Sequence, residues 1–265
     1  YYAKLVQYGC QVEYLDVGGG LGVDYDGSAS VFTSSINYNL QEYAKDIVTS
    51  IMDVCDEEKV PHPTIVSESG RALVAHHSMV VVDALGSIAK LNAAPPKIDN
   101  HSHKLVRRMQ DIEKRLNRET LTECYHDLLS IQERAQSLFL IGLIDLQSKA
   151  AVETLFWKIA AAIVVQYEQE PYIPEEITEL RTTLAEQYIC NFSVFQSLPD
   201  YWALGQLFPI VPIHRLEEEP THDATIVDIT CDSDGKVAKF IDLKDVKESL
   251  PQHSLTDDPY HIGLF

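Results

Sequence analysis

The first part of the chain has an apolar pattern that changes between strand spacing and helix spacing. Residues 12–17 form a short apolar run that leads into a glycine cluster, and a second run ends at residues 64–66. Between them, over residues 38–59, apolar side chains recur at the spacing of an amphipathic helix. This order predicts a βαβ unit with two parallel strands. A short helix at 71–76 and a strand at 79–85 are predicted after it.

The pattern is entirely helical from about residue 101 to residue 186, after a break at Pro95 and Pro96. Apolar side chains recur there every three or four residues within each predicted helix, at Leu105, Met109, Ile112, Leu116, Leu121, Tyr125, Leu128, Ala151, Leu155, Ile159, Ala162 and Ile163. Thr120 and Glu123 have the spacing of a capping box. Several amphipathic helices with short connections predict a helical bundle or hairpin.

Strand patterns return after the helical segment. Short apolar runs occupy residues 188–192, 208–211, 224–230 and 237–241. Prolines at positions 199, 209 and 212 restrict these strands to edges or bends. A mainly β segment that follows a β/α segment predicts a second domain, with the helices inserted between the two.

A glycine cluster follows the first predicted strand. Gly18, Gly19, Gly20 and Gly22 let the backbone approach a bulky anion, and successive N–H groups are the usual binding site for a phosphate. A flexible loop or tight turn is the other interpretation of such a cluster. The spacing is not the G-x-G-x-x-G of dinucleotide-binding folds, and no Gly-Lys-Ser/Thr follows to make a P-loop.

The second predicted strand ends in the sequence Ser-Glu-Ser-Gly-Arg, which contains Glu68 and Arg71. Because the carboxyl ends of parallel strands lie at the same edge of a sheet, we expect both residues near the glycines. Arg71 can bind phosphate oxygens through its fork of N–H groups, and the Glu68 carboxylate can keep a ring nitrogen protonated. These groups together suit pyridoxal phosphate. A surface ion pair worth roughly 0–1 kcal/mol is the alternative.

Composition excludes some classes of partner. The chain has 40 acidic and 21 basic residues, a formal net charge of -19, which argues against nucleic acid or an anionic membrane and weakly favours a cationic substrate. Five scattered cysteines without C-x-x-C spacing indicate a reduced, cytoplasmic protein. No apolar run is long enough to cross a bilayer. The pair His101 and His103 lacks acidic or cysteine partners at ligand spacing, so no metal site is predicted.

Five stretches, in chain order, resemble the fold III pyridoxal-phosphate decarboxylases, and among them the bacterial biosynthetic arginine decarboxylases. These stretches are LDVGGGLGVDYDGS at 15–28, SESGRALVAHH at 67–77, NFSVFQSLPDYW at 191–202, QLFPIVPIHRL at 206–216 and DITCDSDGKV at 228–237. The resemblance implies an α/β plus β fold, with the C-terminal part of an alanine-racemase-like (β/α)8 barrel, a helical-bundle insert and part of a β-sandwich domain. The expected boundaries are 1–77 for the barrel, 78–98 for the start of the β domain, 99–187 for the bundle and 188–265 for the incomplete sandwich.

The resemblance also assigns roles to the first two motifs. It implies that Gly18, Gly19, Gly20 and Arg71 bind the cofactor phosphate, and that Glu68 binds the cofactor ring and contributes to catalysis. Magnesium accompanies the bacterial arginine enzymes in this family, but the chain shows no ligand set for it. The family's cofactor-binding lysine is expected before residue 1 and a phosphate-binding tyrosine after residue 265. The chain is thus expected to be a piece of a longer protein and inactive by itself.

Cys231 and Asp232 follow the predicted strand at 224–230. From the residues alone, Cys231 is a small, half-buried apolar side chain and Asp232 is a turn former. The resemblance implies instead that both come from the partner subunit of a homodimer, or of a dimer of dimers, and complete the site. Cys231 would then lie near the reacting carbon, and Asp232 would bind the guanidinium of arginine in bidentate fashion.

The activity implied is decarboxylation of L-arginine to agmatine and carbon dioxide, in putrescine and spermidine biosynthesis. Related ornithine enzymes carry Asn-Asp-Gly where this chain has Asn191-Phe192-Ser193. This difference argues against ornithine or lysine as the substrate. Two alternatives stay open. One is another fold III decarboxylase, acting on diaminopimelate, ornithine or lysine, and the other is an inactive module that binds a partner through its helices.

Overall fold

A computed structural model describes residues 1–32, 34–168, 170–242 and 246–265 of the chain. Its first part contains two parallel strands with helices around them. These elements are α1 (Tyr2–Gln7), β1 (Tyr14–Asp16), α2 (Leu40–Glu58), β2 (Thr64–Val66) and α3 (Gly70–Val74). Tyr14 pairs with Thr64 and Asp16 with Val66 in a parallel register. The predicted βαβ unit is therefore confirmed, and the loops that follow β1 and β2 lie at the same edge.

Helix α2 begins with a capping box that the sequence analysis did not identify. The Asn39 side chain accepts from the backbone N–H of Glu42 at 2.9 Å, and the Glu42 carboxylate accepts from the backbone N–H of Asn39 at 3.0 Å. At its other end, Lys59 adopts a left-handed conformation. These caps satisfy backbone groups that every helix end leaves without partners.

Four further helices form a bundle with its own apolar core. They are α4 (Lys104–Arg115), α5 (Leu121–Leu140), α6 (Leu146–Tyr167) and α7 (Glu175–Leu184). The fully buried residues of this core include Leu105, Met109, Cys124, Leu128, Val152, Ala160 and Ile163. The helical bundle predicted from periodicity is confirmed, because the predicted apolar faces are the buried ones.

The capping box predicted at Thr120 and Glu123 is wrong. Thr120 does precede α5, but its hydroxyl donates to the carbonyl oxygen of Arg115 at 2.9 Å and accepts from the N–H of Asn117 at 3.1 Å. Glu123 accepts from the Arg115 guanidinium at 3.1 Å. The Thr120 hydroxyl is therefore occupied by the turn before α5, and it does not cap the backbone N–H groups of that helix.

The remaining strands form a mixed main sheet next to the bundle and one separate pair. They are β3 (Val80–Ile88), β4 (Glu186–Cys190), β5 (Ile210–Pro212), β6 (His222–Val227), β7 (Lys236–Val237), β8 (Phe240–Ile241), β9 (Val246–Lys247), β10 (Leu250–Gln252) and β11 (His261–Leu264). The main sheet has the order β10-β6-β4-β3-β11-β5, with β7 beside β6 and a separate pair of β8 and β9. Only the pair of β4 and β6 is parallel within the main sheet of the described residues.

A second core fills one side of this sheet. It contains Tyr188, Cys190, Ile226, Phe240 and Ile262, all nearly or fully buried. Two short helices, α8 (Val194–Ser197) and α9 (Pro199–Leu204), connect β4 to β5. The prediction of a single strand at 237–241 is wrong, because β7 pairs with β6 while β8 pairs with β9.

No helix in the described ranges has the length and apolar character needed to cross a membrane.

Candidate functional site

The glycine loop that follows β1 lies against the backbone of Glu68. A Cβ atom at Gly19 would lie 2.5 Å from the Glu68 carbonyl oxygen and 3.3 Å from the Glu68 Cβ, so a side chain does not fit there. Gly18 and Gly20 have φ angles of 78° and 77°, which favour glycine. The loop conformation therefore depends on glycine at all three positions.

Backbone hydrogen bonds hold the two loops together beyond the ends of the strands. The N–H of Val17 donates to the carbonyl oxygen of Val66 at 2.9 Å, and the N–H of Glu68 donates to the carbonyl oxygen of Gly18, also at 2.9 Å. The Asp16 carboxylate accepts from the N–H of Gly18 at 2.8 Å. The structure thus brings Glu68 beside the glycine loop, with an exposed side chain.

Arg71 has partners that the sequence analysis did not anticipate. Its Nη1 donates to the side-chain oxygen of Gln206 at 2.9 Å, and its Nη2 donates to the Asp200 carboxylate. The Arg71 side chain is 27% exposed and that of Asp200 is 42% exposed. Both acceptors lie on the segment of α9 and the loop that follows it. The motifs at 191–202 and 206–216 contained these two residues, but no pattern in the sequence connected them with Arg71.

Tyr25 joins the same group of segments. Its ring packs edge-on against His76 at 5.7 Å and against Phe208 at 5.8 Å between ring centroids. Burial raises the pKa of the Tyr25 phenol; the Arg71 charge opposes this rise and the Asp200 charge adds to it. The end of the glycine loop, the segment after α3 and the segment after α9 therefore meet around one aromatic ring.

The turn after the glycine loop is held by serine hydroxyls that bind two carboxylates. Ser34 donates to Asp26 at 2.6 Å, and Ser35 donates to Asp24 at 2.6 Å. Hydrogen bonds from Ser28 and Ser34 lower the pKa of Asp26 to about 2. Hydrogen bonds thus fix the turn that follows the glycines.

Cys231 and Asp232 lie in the turn between β6 and β7, and both are exposed. The Asp232 carboxylate accepts from the N–H of Asp234 at 3.0 Å. Neither residue forms a hydrogen bond or ion pair with the glycine loop, Glu68 or Arg71 within the part of the chain that the structure describes. The structure therefore does not bring the two halves of the predicted site together in one copy of the chain.

Two cavities of about 320 and 530 Å³ lie between the helical bundle and the sheet, away from the glycine loop. The glycine loop itself opens outward, since a Cβ atom at Gly18 or Gly20 would meet nothing within 4 Å.

Across residues 1–32, 34–168, 170–242 and 246–265, no three His, Cys, Asp or Glu side chains are grouped so that they could hold a metal ion.

Comparison with known proteins gives these loops a family context. Residues 1–75 match the family described as "Pyridoxal-dependent decarboxylase, pyridoxal binding domain", and residues 99–181 match the "Arginine decarboxylase helical bundle domain". The two matches together cover more than half of the chain. The chain belongs to the pyridoxal-dependent arginine decarboxylase family. The first match contains the glycine loop, Glu68 and Arg71.

Individual relatives agree with this family. The chain is 48% identical over 268 residues to the biosynthetic arginine decarboxylase of Deinococcus radiodurans, covering 100% of this chain and 40% of that protein. It is 44% identical over 265 residues to the enzyme of the same name from Thermosynechococcus vestitus, covering 100% of this chain and 42% of that protein. The chain thus spans about two fifths of the length of the curated relatives it matches.

A solved structure confirms the predicted fold class. The crystal structure of the biosynthetic arginine decarboxylase of Campylobacter jejuni is 32% identical and aligns with a TM-score of 0.74, covering 100% of this chain and 42% of that chain. The chain therefore has part of the fold III decarboxylase fold. Its βαβ unit belongs to the alanine-racemase-like barrel, and α4 to α7 form the family's helical bundle.

Proposed function

We propose that the protein containing this chain decarboxylates L-arginine to agmatine and carbon dioxide, in the synthesis of putrescine and spermidine. The observation that carries the proposal is the contact between Gly19 and Glu68, within the segment that matches the pyridoxal binding domain. Relatives that match the whole chain at 44–48% identity are named biosynthetic arginine decarboxylases, which supports arginine as the substrate. All five cysteines are free thiols, which supports a cytoplasmic location.

The residues of the glycine loop fit pyridoxal phosphate. The loop is open on the side where Cβ atoms at Gly18 and Gly20 would point, so its backbone can approach a phosphate. Glu68, exposed beside it, would keep the ring nitrogen protonated. When bound, this cofactor accepts the electron pair that loss of carbon dioxide leaves. Arg71 and the N–H groups of Gly19 and Gly20 would hold the phosphate, because the Gly18 N–H already donates to the Asp16 carboxylate. Glu68 would support catalysis by holding the ring proton.

Cys231 and Asp232 would reach the site from a second copy of the chain. Their exposure in the turn between β6 and β7 supports this role, because a side chain that acts across an interface must be accessible in the single chain. The Cys231 thiol would place a proton near the reacting carbon, and the Asp232 carboxylate would bind the guanidinium of arginine through two hydrogen bonds. The proposal therefore requires a homodimer, alone or within a dimer of dimers.

Turnover by the full-length protein tests the substrate assignment. Carbon dioxide release is measured with arginine, ornithine, lysine and diaminopimelate, each with added pyridoxal phosphate and with or without magnesium. We expect kcat/KM for arginine to exceed that of every other amino acid by at least about 100-fold, since the site must pair a buried guanidinium. A preference for another of these amino acids would replace arginine as the substrate, and no turnover of any of them would favour an inactive, partner-binding protein.

A further inference from the structure

The Arg71 guanidinium is held from one side by two fixed acceptors. Gln206 accepts from Nη1 and Asp200 accepts from Nη2, so each arm of the fork has its own partner. These contacts join residues that are 135 and 129 positions apart along the chain. They connect the loop after β2 with the segment that follows the helical bundle.

Both acceptors are themselves held in place. The N–H of Gln206 donates to the Asp200 carbonyl oxygen at 3.1 Å. The side-chain nitrogen of Gln206 donates to the Leu207 carbonyl oxygen at 2.8 Å, which turns its side-chain oxygen toward Arg71. Asp200 lies in the first turn of α9, and the neighbouring Tyr201 hydroxyl accepts from the backbone of the segment after β7 at 3.0 Å. The acceptors therefore belong to a structure that is anchored on the sheet.

The two contacts leave Arg71 able to bind an anion. A guanidinium has about five N–H donors, and Asp200 and Gln206 use one on each arm. The Nε–H and one N–H on each arm remain available for phosphate oxygens. A fork held in this way loses less rotational freedom when it binds than a free side chain does.

We propose that Asp200 and Gln206 are positioning residues that hold the Arg71 fork for the phosphate of the cofactor. This inference rests on the proposed function, because it concerns the same phosphate. It makes the segment after the helical bundle part of the cofactor site, although that segment lies outside the matched pyridoxal binding domain. Asp200 acts through Arg71 and does not itself bind the phosphate.

The test compares binding of pyridoxal phosphate with binding of pyridoxal, which lacks the phosphate, to the cofactor-free full-length protein. We expect Asp200→Asn to raise the Kd for pyridoxal phosphate roughly tenfold, the effect of losing one charge-assisted hydrogen bond. The Kd for pyridoxal is expected to stay within about twofold. Asp200→Glu keeps the charge and is expected to recover part of the affinity, and Gln206→Ala is expected to have a smaller effect of the same kind.

Two further variants separate positioning from a general structural effect. In an Arg71→Ala background, Asp200→Asn is expected to cause no additional loss of phosphate-dependent affinity, because its effect passes through Arg71. The matched control is Asp127→Asn in the helical bundle. Asp127 pairs with Arg115 and is 40% exposed, close to the 42% of Asp200. This control is expected to leave both Kd values unchanged.

The outcomes distinguish this inference from the proposed function. Tighter binding of pyridoxal phosphate to Asp200→Asn would overturn the inference, because Asp200 would then compete with the phosphate. An equal rise in the Kd values for both ligands, or no change in either Kd, would overturn it as well. In both cases the proposed function would still stand, provided that the wild-type protein binds pyridoxal phosphate. Absence of pyridoxal phosphate binding to the wild-type full-length protein would overturn both.

Discussion

The N–H of Glu68 donates a hydrogen bond to the carbonyl oxygen of Gly18 over 2.9 Å, so the loops that follow β1 and β2 are joined through their backbones. A Cβ atom at Gly19 would lie 2.5 Å from the Glu68 carbonyl oxygen, so no side chain fits there. The position of the Glu68 backbone is therefore set by the glycine loop. The predictions below follow from this arrangement and from the two cores that support it.

Gly19→Ala is expected to displace the loop that carries Glu68. The new Cβ atom would overlap a backbone oxygen at 2.5 Å, and backbone cannot move aside as a flexible side chain can. We expect at least about tenfold weaker binding of pyridoxal phosphate and a lower free energy of unfolding, by roughly 1–3 kcal/mol. Equilibrium binding and urea unfolding of the full-length protein measure the two effects.

Gly86→Ala is the matched control for this substitution. Gly86 lies in β3, where an added Cβ would meet nothing within 4 Å and where φ is not in the left-handed region. We expect unchanged cofactor binding and little change in stability. If both substitutions weakened binding equally, the close contact between Gly19 and Glu68 would not be the cause.

Asp26→Asn is expected to destabilise the protein in a pH-dependent way. Hydrogen bonds from Ser28 and Ser34 lower the pKa of Asp26 from 3.8 to about 2. A carboxyl whose folded pKa is depressed stabilises the folded protein above its unfolded pKa, and this contribution is lost as the pH falls toward the folded value. The Tm difference between wild type and variant is thus expected to be constant near neutral pH and to shrink below about pH 4. A constant difference at every pH would contradict the carboxylate's role.

Cys231 is expected to act in the site of the partner subunit. Glu68→Ala and Cys231→Ala are each expected to reduce kcat of the proposed full-length homodimer by about 100-fold or more. A purified heterodimer of one subunit of each kind would contain one intact site of two, and is expected to recover about half of the wild-type activity. Heterodimers made with two different affinity tags allow this measurement. A heterodimer as inactive as its parents would place Cys231 and Glu68 in the same subunit.

Leu128→Ala is expected to destabilise the helical bundle strongly. Leu128 is fully buried in the core that α4 to α7 enclose, and removal of a buried leucine side chain costs about 2–5 kcal/mol. Leu140→Ala is the control, because Leu140 lies in the same helix with 74% of its surface exposed. We expect this control to change the free energy of unfolding by less than about 0.5 kcal/mol. Equal effects in chemical unfolding would show that the bundle core does not depend on Leu128.

Local pattern predicted much of the fold because each helix buries one face of its own sequence. Leu105, Met109 and Ile112 recur at helical spacing, and all three are buried in the bundle. The position of Glu68 beside the glycine loop was also predictable, since it follows from the common edge of two parallel strands. These features depend on short stretches of sequence and on one rule of sheet geometry.

Contacts between distant segments could not be predicted in this way. Asp200 and Gln206 reach Arg71 across more than a hundred residues, and neither has a local pattern that marks it as a partner. The Thr120 prediction failed for a related reason, because Asn117 and Arg115 compete for the same hydroxyl. The segment predicted as one strand at 237–241 forms two strands, because β7 pairs with β6 and β8 pairs with β9.

A crystal structure of the full-length protein with pyridoxal phosphate tests the central claim most directly. The claim is that the glycine loop and Glu68 hold the two ends of one cofactor. We expect a Glu68 carboxylate oxygen within about 3 Å of the ring nitrogen, and the N–H groups of Gly19 and Gly20 within about 3 Å of phosphate oxygens. A cofactor whose phosphate lies elsewhere, or whose ring nitrogen faces another residue, would contradict the account.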